Sequence, residues 1–167
     1  MVEARFCTTC AGVLDSTGRH PVCTACGRVQ HRDPKVGVGV VVMDQAGRLL
    51  LVRRGVSPGK GLWALPAGFV DAGEDPRAAA AREALEETGL QVEVGQVIDV
   101  YPGSGGQGAS FFIAFQARVV GGHLQAADDA VDAGFFAATD FPELAFASTQ
   151  DAAAKVLATL TRPAPEG

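Results

Sequence analysis

Apolar residues along this chain fall into short runs of β type, interrupted by two stretches of helical period. Val36 to Met43 is rich in valine, with Gly37 and Gly39 at alternate positions, and reads as a strand. Asp44-Gln45-Ala46-Gly47 supplies a turn, and a second strand follows through Val52. Gln91 to Tyr101 and Ser110 to Val120 also read as strands, joined by the loop residues PGSGGQG. Asp132 to Ala137 suggests a further short strand, and Ser148 to Thr161 a closing amphipathic helix capped by Ser148 or Thr149. Past Pro34 the pattern is therefore that of a mixed α/β sandwich.

The other helical stretch carries the chemistry. Asp75 suits an N-cap, Pro76 the first helical position and Gly89 a left-handed C-terminal cap. At 3.6 residues per turn, Glu83, Glu86 and Glu87 share one stripe, while Ala78, Ala81, Leu85 and Thr88 occupy the face expected to pack on a sheet. Like charges at this spacing destabilise a bare helix. A hard divalent cation such as Mg²⁺, which takes carboxylate and phosphate oxygens, relieves that repulsion. Arg82 sits one turn before Glu86, and Glu74 comes within its reach if the preceding loop folds back, so the two read as braces for the stripe.

Gly68 to Leu90, GFVDAGEDPRAAAAREALEETGL, resembles the signature box of the Nudix hydrolases at Gly68, Glu74, Arg82, Glu83, Glu86, Glu87 and Gly89. Ala84 is smaller than the aliphatic residue usual at its position, and Ala67 stands where many members have glycine. The likeness implies an α/β/α sandwich with a mixed sheet over residues 34–161. It also implies hydrolysis of a nucleoside diphosphate linked to another moiety. Mg²⁺ or Mn²⁺ would be held by Glu83, Glu86, Glu87 and the Gly68 carbonyl, with Arg82 and Glu74 in support. Asp129, and after it Asp132, resembles the acidic segment from which a carboxylate joins the metal site in zinc-ribbon members; the general base is a box glutamate or such a downstream carboxylate.

All four cysteines fall in the first 26 residues, as Cys7-x-x-Cys10 and Cys23-x-x-Cys26. Two such pairs, twelve residues apart, suit a tetrahedral structural zinc in a ribbon spanning residues 1–33. The rival, two disulfides, is disfavoured because MVEARFCTTC lacks the apolar core of an export signal. His20 and His31 read as exposed rather than as ligands, and His123 as a turn residue.

Net charge is −5, with +2 of charge in residues 1–35 and −7 in the remainder. That balance argues against broad nucleic-acid binding, and no apolar run is long enough to span a membrane. A cytoplasmic enzyme is expected, as a homodimer, with a small nucleotide as its partner and residues 162–167 as a disordered tail. Arg53, Arg54 and Lys60 are candidate phosphate contacts, and Phe69 and Tyr101 candidate stacking residues. Trp63 reads as core. Gly103-x-Gly105-x-x-Gly108 fits the dinucleotide fingerprint only formally, because a strand follows it rather than a helix.

Within the family, a ribbon ahead of the box suggests NADH pyrophosphatases, yet Tyr101-Pro102-Gly103-Ser104 stands where those have a Ser-Gln-Pro-Trp-Pro motif. Trp63 to Gly68 and Leu144 to Ser148 resemble members that hydrolyse ADP-ribose and FAD. The alternatives are an NADH or NAD-capped RNA pyrophosphatase, a nucleoside triphosphate sanitiser, and a non-catalytic nucleic-acid binder; the intact glutamate set speaks against the last.

Overall fold

A computed structural model describes residues 5–31, 33–103 and 110–160, the Leu160 side chain excepted. The expected tail, Arg32, and Gly105 and Gly108 of the loop lie outside the described residues. Backbone contacts divide the chain into two compact units, one ending at Pro34 and one starting at Lys35.

In the first unit β1 (Leu14–Asp15) and β2 (Val22–Cys23) pair antiparallel, with Leu14 opposite Cys23. Its buried cluster is Cys7, Leu14 and Cys23. A core of that size is too small to hold a fold by burial alone, so a cross-link of some kind is required.

The second unit runs through β3 (Val36–Val42), β4 (Leu49–Arg54), β5 (Trp63–Ala64), β6 (Ala67–Phe69) and α1 (Pro76–Thr88). It continues through β7 (Leu90–Pro102), β8 (Phe111–Gly122), β9 (Ala130–Phe136) and α2 (Ala147–Leu160). One sheet has the order β6-β3-β8-β7 and the other β5-β4-β9. β3 is parallel to β8 and antiparallel to β6, so the first sheet is mixed. The Asp44–Gly47 turn thus carries the chain from one sheet into the other.

β3 is covered on both faces, which explains its near-continuous valine. Val38, Val40 and Val42 join Ala79, Ala80 and Ala84 of α1, while Val41 joins Leu49, Leu51 and the α2 residues Ala152, Ala153 and Val156. Gly39 shares the Val41 face, where a Cβ would come 2.7 Å from the Phe112 ring and 2.9 Å from the Ala67 Cβ.

The ends of α1 form as the sequence dictates. Asp75 Oδ1 accepts from the Arg77 and Ala78 amides at 2.8 and 3.2 Å, and Gly89, at φ 68°, donates its amide to the Leu85 carbonyl. The packed face, however, differs from the expected one. Ala79, Ala80, Ala84, Glu87 and Thr88 are buried, whereas Ala78 is exposed, Leu85 is 45% exposed and Ala81 half-buried. Small alanines let the helix approach β3 closely, and this rotation turns Glu87 inward and Leu85 outward.

The start of α2 also differs: the helix begins at Ala147, so neither Ser148 nor Thr149 caps it, and Thr149 is buried with its amide donated to the Phe146 carbonyl. The preceding segment is zipped to β5 through the Trp63 amide on the Glu143 carbonyl and the Ala145 amide on the Trp63 carbonyl. That anchoring places the first turn one residue early.

Candidate active site

The site is built where α1 crosses the edge strand β6. β6 pairs with β3 so that Gly68 lies opposite Val38, on the face that α1 covers. There the Glu83 carboxylate lies directly over the Gly68 Cα, and any side chain at that position would overlap it. One turn further on, Glu87 is 3% exposed, and its Oε2 accepts the Ala67 amide at 2.9 Å. Two consecutive residues of β6 therefore receive two glutamates of the helix.

Arg82 organises the rest. Its Nε and Nη2 donate to the two oxygens of Glu74, each at 2.9 Å, in a fork that matches a carboxylate. Its Nη1 reaches Glu83 at 2.8 Å and Glu86 at 3.0 Å, and Nη2 also meets the Phe69 carbonyl at 3.1 Å. The loop does fold back: Glu74 also accepts from the Asp71 amide. Hydrogen bonding from Arg82, with the Asp71 amide next, holds Glu74 at a pKa of about 2.

Glu83 and Glu87 are pushed the other way, chiefly by burial. Glu87 rises to about 7, opposed by the Ala67 amide and Arg54 and aided by the charges of Glu83 and Asp129. Glu83 rises with the help of Glu86 and Asp128. Asp129 thus lies close enough to act on Glu87, as does Asp128, at φ 51°, on Glu83. Asp128 was not among the expected site residues, although its place in an Asp-Asp pair was a usable signal. Asp132 is directed away and faces Arg53 at 3.8 Å.

The donors are hard oxygens, crowded and opposed by one shared guanidinium, with a bare glycine beneath. That chemistry fits a divalent cation held by carboxylates and a backbone carbonyl.

Of the remaining expected residues, Arg54 is at the end of β4 and acts on Glu87, whereas Arg53 and Lys60 are exposed. Phe69 is 44% exposed beside Gly68, with the Lys35 ammonium 5.2 Å from its ring centre. Tyr101 is not an open stacking surface. It is half-buried, and its hydroxyl donates to Asp151 of α2 at 2.8 Å, which ties the ring to that helix. Trp63 packs edge-on against Phe136 at 4.7 Å, within the core.

In the first unit the four cysteine Sγ atoms all lie within 4.8 Å of one another. Cys7–Cys26 and Cys10–Cys23 are 3.9 and 3.5 Å apart, well beyond the roughly 2.05 Å of a disulfide. A tetrahedral zinc with bonds of about 2.3 Å sets sulfurs about 3.8 Å apart, which these positions fit. Amide donors of the two knuckles act on the thiols: Thr9, then Cys10, lower Cys7 to about 6, and Cys26 lowers Cys23. A side chain at Gly12 would strike Cys23 Sγ at 2.9 Å. His20 and His31 face one another, with ring centres 4.8 Å apart.

Residues 33–160 match the family model described as NUDIX domain. A protein of Methanocaldococcus jannaschii named ADP-ribose pyrophosphatase is 42% identical over 116 residues, which is 68% of each chain. The NAD-capped RNA hydrolase NudC of Chromobacterium violaceum is 32% identical over 84% of this chain, which spans about half (52%) of that relative. Among solved structures, a Nudix hydrolase from Nitrosomonas europaea superposes with a TM-score of 0.81 at 26% identity, over 96% of both chains. The fold, the box on α1 and these matches together place the chain in the Nudix hydrolase family.

Proposed function

We propose that this protein hydrolyses the pyrophosphate bond of a nucleoside diphosphate joined to a second moiety, with ADP-ribose or FAD preferred. The observation that carries the reading is the docking of Glu83 and Glu87 onto Gly68 and Ala67, with Arg82 bracing Glu83 and Glu86 from Glu74. Glu83, Glu86, Glu87 and the Gly68 carbonyl would hold Mg²⁺ or Mn²⁺, with Asp129 close by. A bound divalent cation supplies charge neutralisation at the diphosphate and a more acidic water.

The protein's own groups do the rest. Arg82 keeps two glutamates oriented through its pairing with Glu74. A box glutamate, or a downstream carboxylate such as Asp129, takes up the proton when the nucleophile forms. Arg54 offers a guanidinium to the diphosphate, and Phe69 an exposed ring to the base. Attack within the diphosphate makes AMP one product.

The name of the M. jannaschii relative supports ADP-ribose, and the likeness of Leu144 to Ser148 supports ADP-ribose or FAD. The second reading, NAD-capped RNA or NADH, is favoured by the NudC relative, which matches 84% of this chain. The ratio of kcat/KM for ADP-ribose, FAD and NADH decides between them. ADP-ribose or FAD is expected to lead. A tenfold or greater preference for NADH, about 1.4 kcal/mol in the transition state, would reverse the ranking.

We further propose a structural zinc on the four cysteines, and a homodimer in the cytoplasm. Exposed Phe6, Val13 and Val29 on the ribbon support association, and no described helix is long and apolar enough to cross a membrane.

A further inference from the structure

The Leu144-Ala145-Phe146 segment has no part in the chemistry above, yet it is tied to the site through Arg54. Arg54 ends β4 opposite Ala130 of β9, and its main chain closes the following loop: its amide donates to the Leu62 carbonyl, and its carbonyl accepts from the Gly61 amide. Its Nε donates to the Pro58 carbonyl at 2.7 Å, and its guanidinium carbon lies 5.2 Å from the centre of the Phe146 ring. Two restraints of different kind, a hydrogen bond from below and a ring face beside, thus hold one flexible side chain. The main chain that carries the ring is itself fixed. Trp63 bridges Leu144, the Ala145 amide is bonded to the Trp63 carbonyl, and Phe146 leads directly into α2. Loop and segment are in contact a second time at Gly59, where a Cβ would come 2.8 Å from the Ala145 Cβ and 3.5 Å from Arg54 Cδ. On the other side of the loop, the Gly55 amide is bonded to the Asp129 carbonyl at 2.7 Å, beside the acidic pair of the site.

We infer that Phe146 is a positioning residue for Arg54: its ring face and the Pro58 carbonyl together aim the guanidinium at the Glu87–Asp129 side of the site, where it meets the substrate diphosphate. The inference rests on the pyrophosphohydrolase reading for its consequence, although not for the contact itself. An arginine free to sample its rotamers loses entropy on binding a diphosphate, and holding it beforehand reduces that cost. A cation over an aromatic face is stabilised electrostatically by the ring, which an aliphatic side chain of similar bulk does not reproduce. The leucine-alanine-phenylalanine run therefore acts on the substrate through Arg54, without touching the reacting atoms.

The test compares Phe146→Leu, which keeps apolar bulk, with Phe146→Tyr, which keeps the ring face, each with native Arg54 and with Arg54→Ala. ADP-ribose and Mg²⁺ serve as probes, with thermal melting to check folding. With Arg54 present, Phe146→Leu is expected to lower kcat/KM about tenfold, as a cation–π contact near a desolvated site warrants, and Phe146→Tyr to stay within about twofold. With Arg54→Ala, Phe146→Leu is expected to cost nothing further, since the two changes act through one group. Equal losses on both backgrounds would overturn the inference and assign Phe146 to packing alone.

A second measurement needs no turnover. The Arg54 Nε–H resonance is expected to be shifted by the Phe146 ring current in the native protein and in Phe146→Tyr, but not in Phe146→Leu. A resonance indifferent to residue 146 overturns the contact. Full turnover in Phe146→Leu beside lost turnover in Glu86→Gln overturns the inference and leaves the box reading standing. Retained turnover in Glu86→Gln overturns the box reading, and the resonance then decides the Phe146 contact on its own.

Discussion

Arg82 bonds three carboxylates and one carbonyl, so the charge balance of the site turns on a single side chain. Glu86 is the most exposed of the three, and its removal leaves no buried group without a partner. Glu86→Gln is therefore expected to fold normally while losing a hundredfold or so in kcat, the order found when a metal site is impaired. Assaying turnover with Mg²⁺ beside a melting curve separates the two effects. Glu87 gives a pH dependence with a definite sign. Its folded pKa of about 7 lies above the usual 4.5, so the metal-free folded protein holds this proton more tightly than the unfolded chain does. The Glu87 contribution to stability is fully present below about pH 4.5 and is lost as pH rises through about 7, with a total effect of up to about 3 kcal/mol. In Glu87→Gln the amide oxygen can still accept from Ala67 and no charge is buried. This variant is expected to melt higher than native, metal-free protein at pH 8 and to lose the decline between pH 4.5 and 7. Glu74 runs the opposite way, its contribution present above about pH 4.5 and lost as pH falls through about 2.

At the scale of elements, the helix termini test how local signals work. Gly89 combines a φ of 68° with the His123 carbonyl 2.5 Å from where a Cβ would sit. Gly89→Ala is expected to cost about 1–2 kcal/mol or more of stability, read from denaturant midpoints. Gly68→Ala differs in kind, because the group it strikes is the mobile end of Glu83. Its melting temperature is expected to stay near native while turnover falls at least about tenfold, a loss of 1.4 kcal/mol or more of transition-state stabilisation. The same contrast explains what the sequence disclosed. Asp75, Pro76 and Gly89 set the bounds of α1 through bonds to their own neighbours, and the strands follow from their β-branched runs, so all of these were legible. The buried face of α1 was not, because amphipathic pattern places Leu85 inside, whereas alanine packing on β3 and the Ala67 amide draw Glu87 in. Tyr101 reads as a stacking candidate in sequence for a similar reason: its partner Asp151 is fifty residues away, and only the docking of α2 on β7 brings them together. The place of Asp128 beside Glu83 likewise depends on a turn after β8 that no short motif announces.

At the scale of the whole molecule, the two units rest on very different amounts of buried surface. Among the described residues the first has three buried apolar side chains, the second two extended clusters. A chelator strong enough to strip zinc is expected to abolish hydrogen-exchange protection at the Cys7, Ala11, Cys23 and Gly27 amides, which close the two knuckles. Amides of β3 and β8 should keep theirs, and protected knuckles after complete zinc removal would refute a metal-held ribbon. The parallel pairing of β3 with β8 bears on how the chain acquires its shape. Val36 needs Phe111 and Val42 needs Ala117, so the central strand waits for residues that lie beyond the whole of α1. Closing so long a loop is entropically costly and places the second unit among slower-folding topologies. On the ribosome, the helix bearing Glu83, Glu86 and Glu87 emerges before the floor on which its alanines pack is complete. A nascent chain stalled with Phe111 still in the exit tunnel should therefore expose a protease-sensitive second unit, and resistance should follow only once β8, β9 and α2 have all emerged.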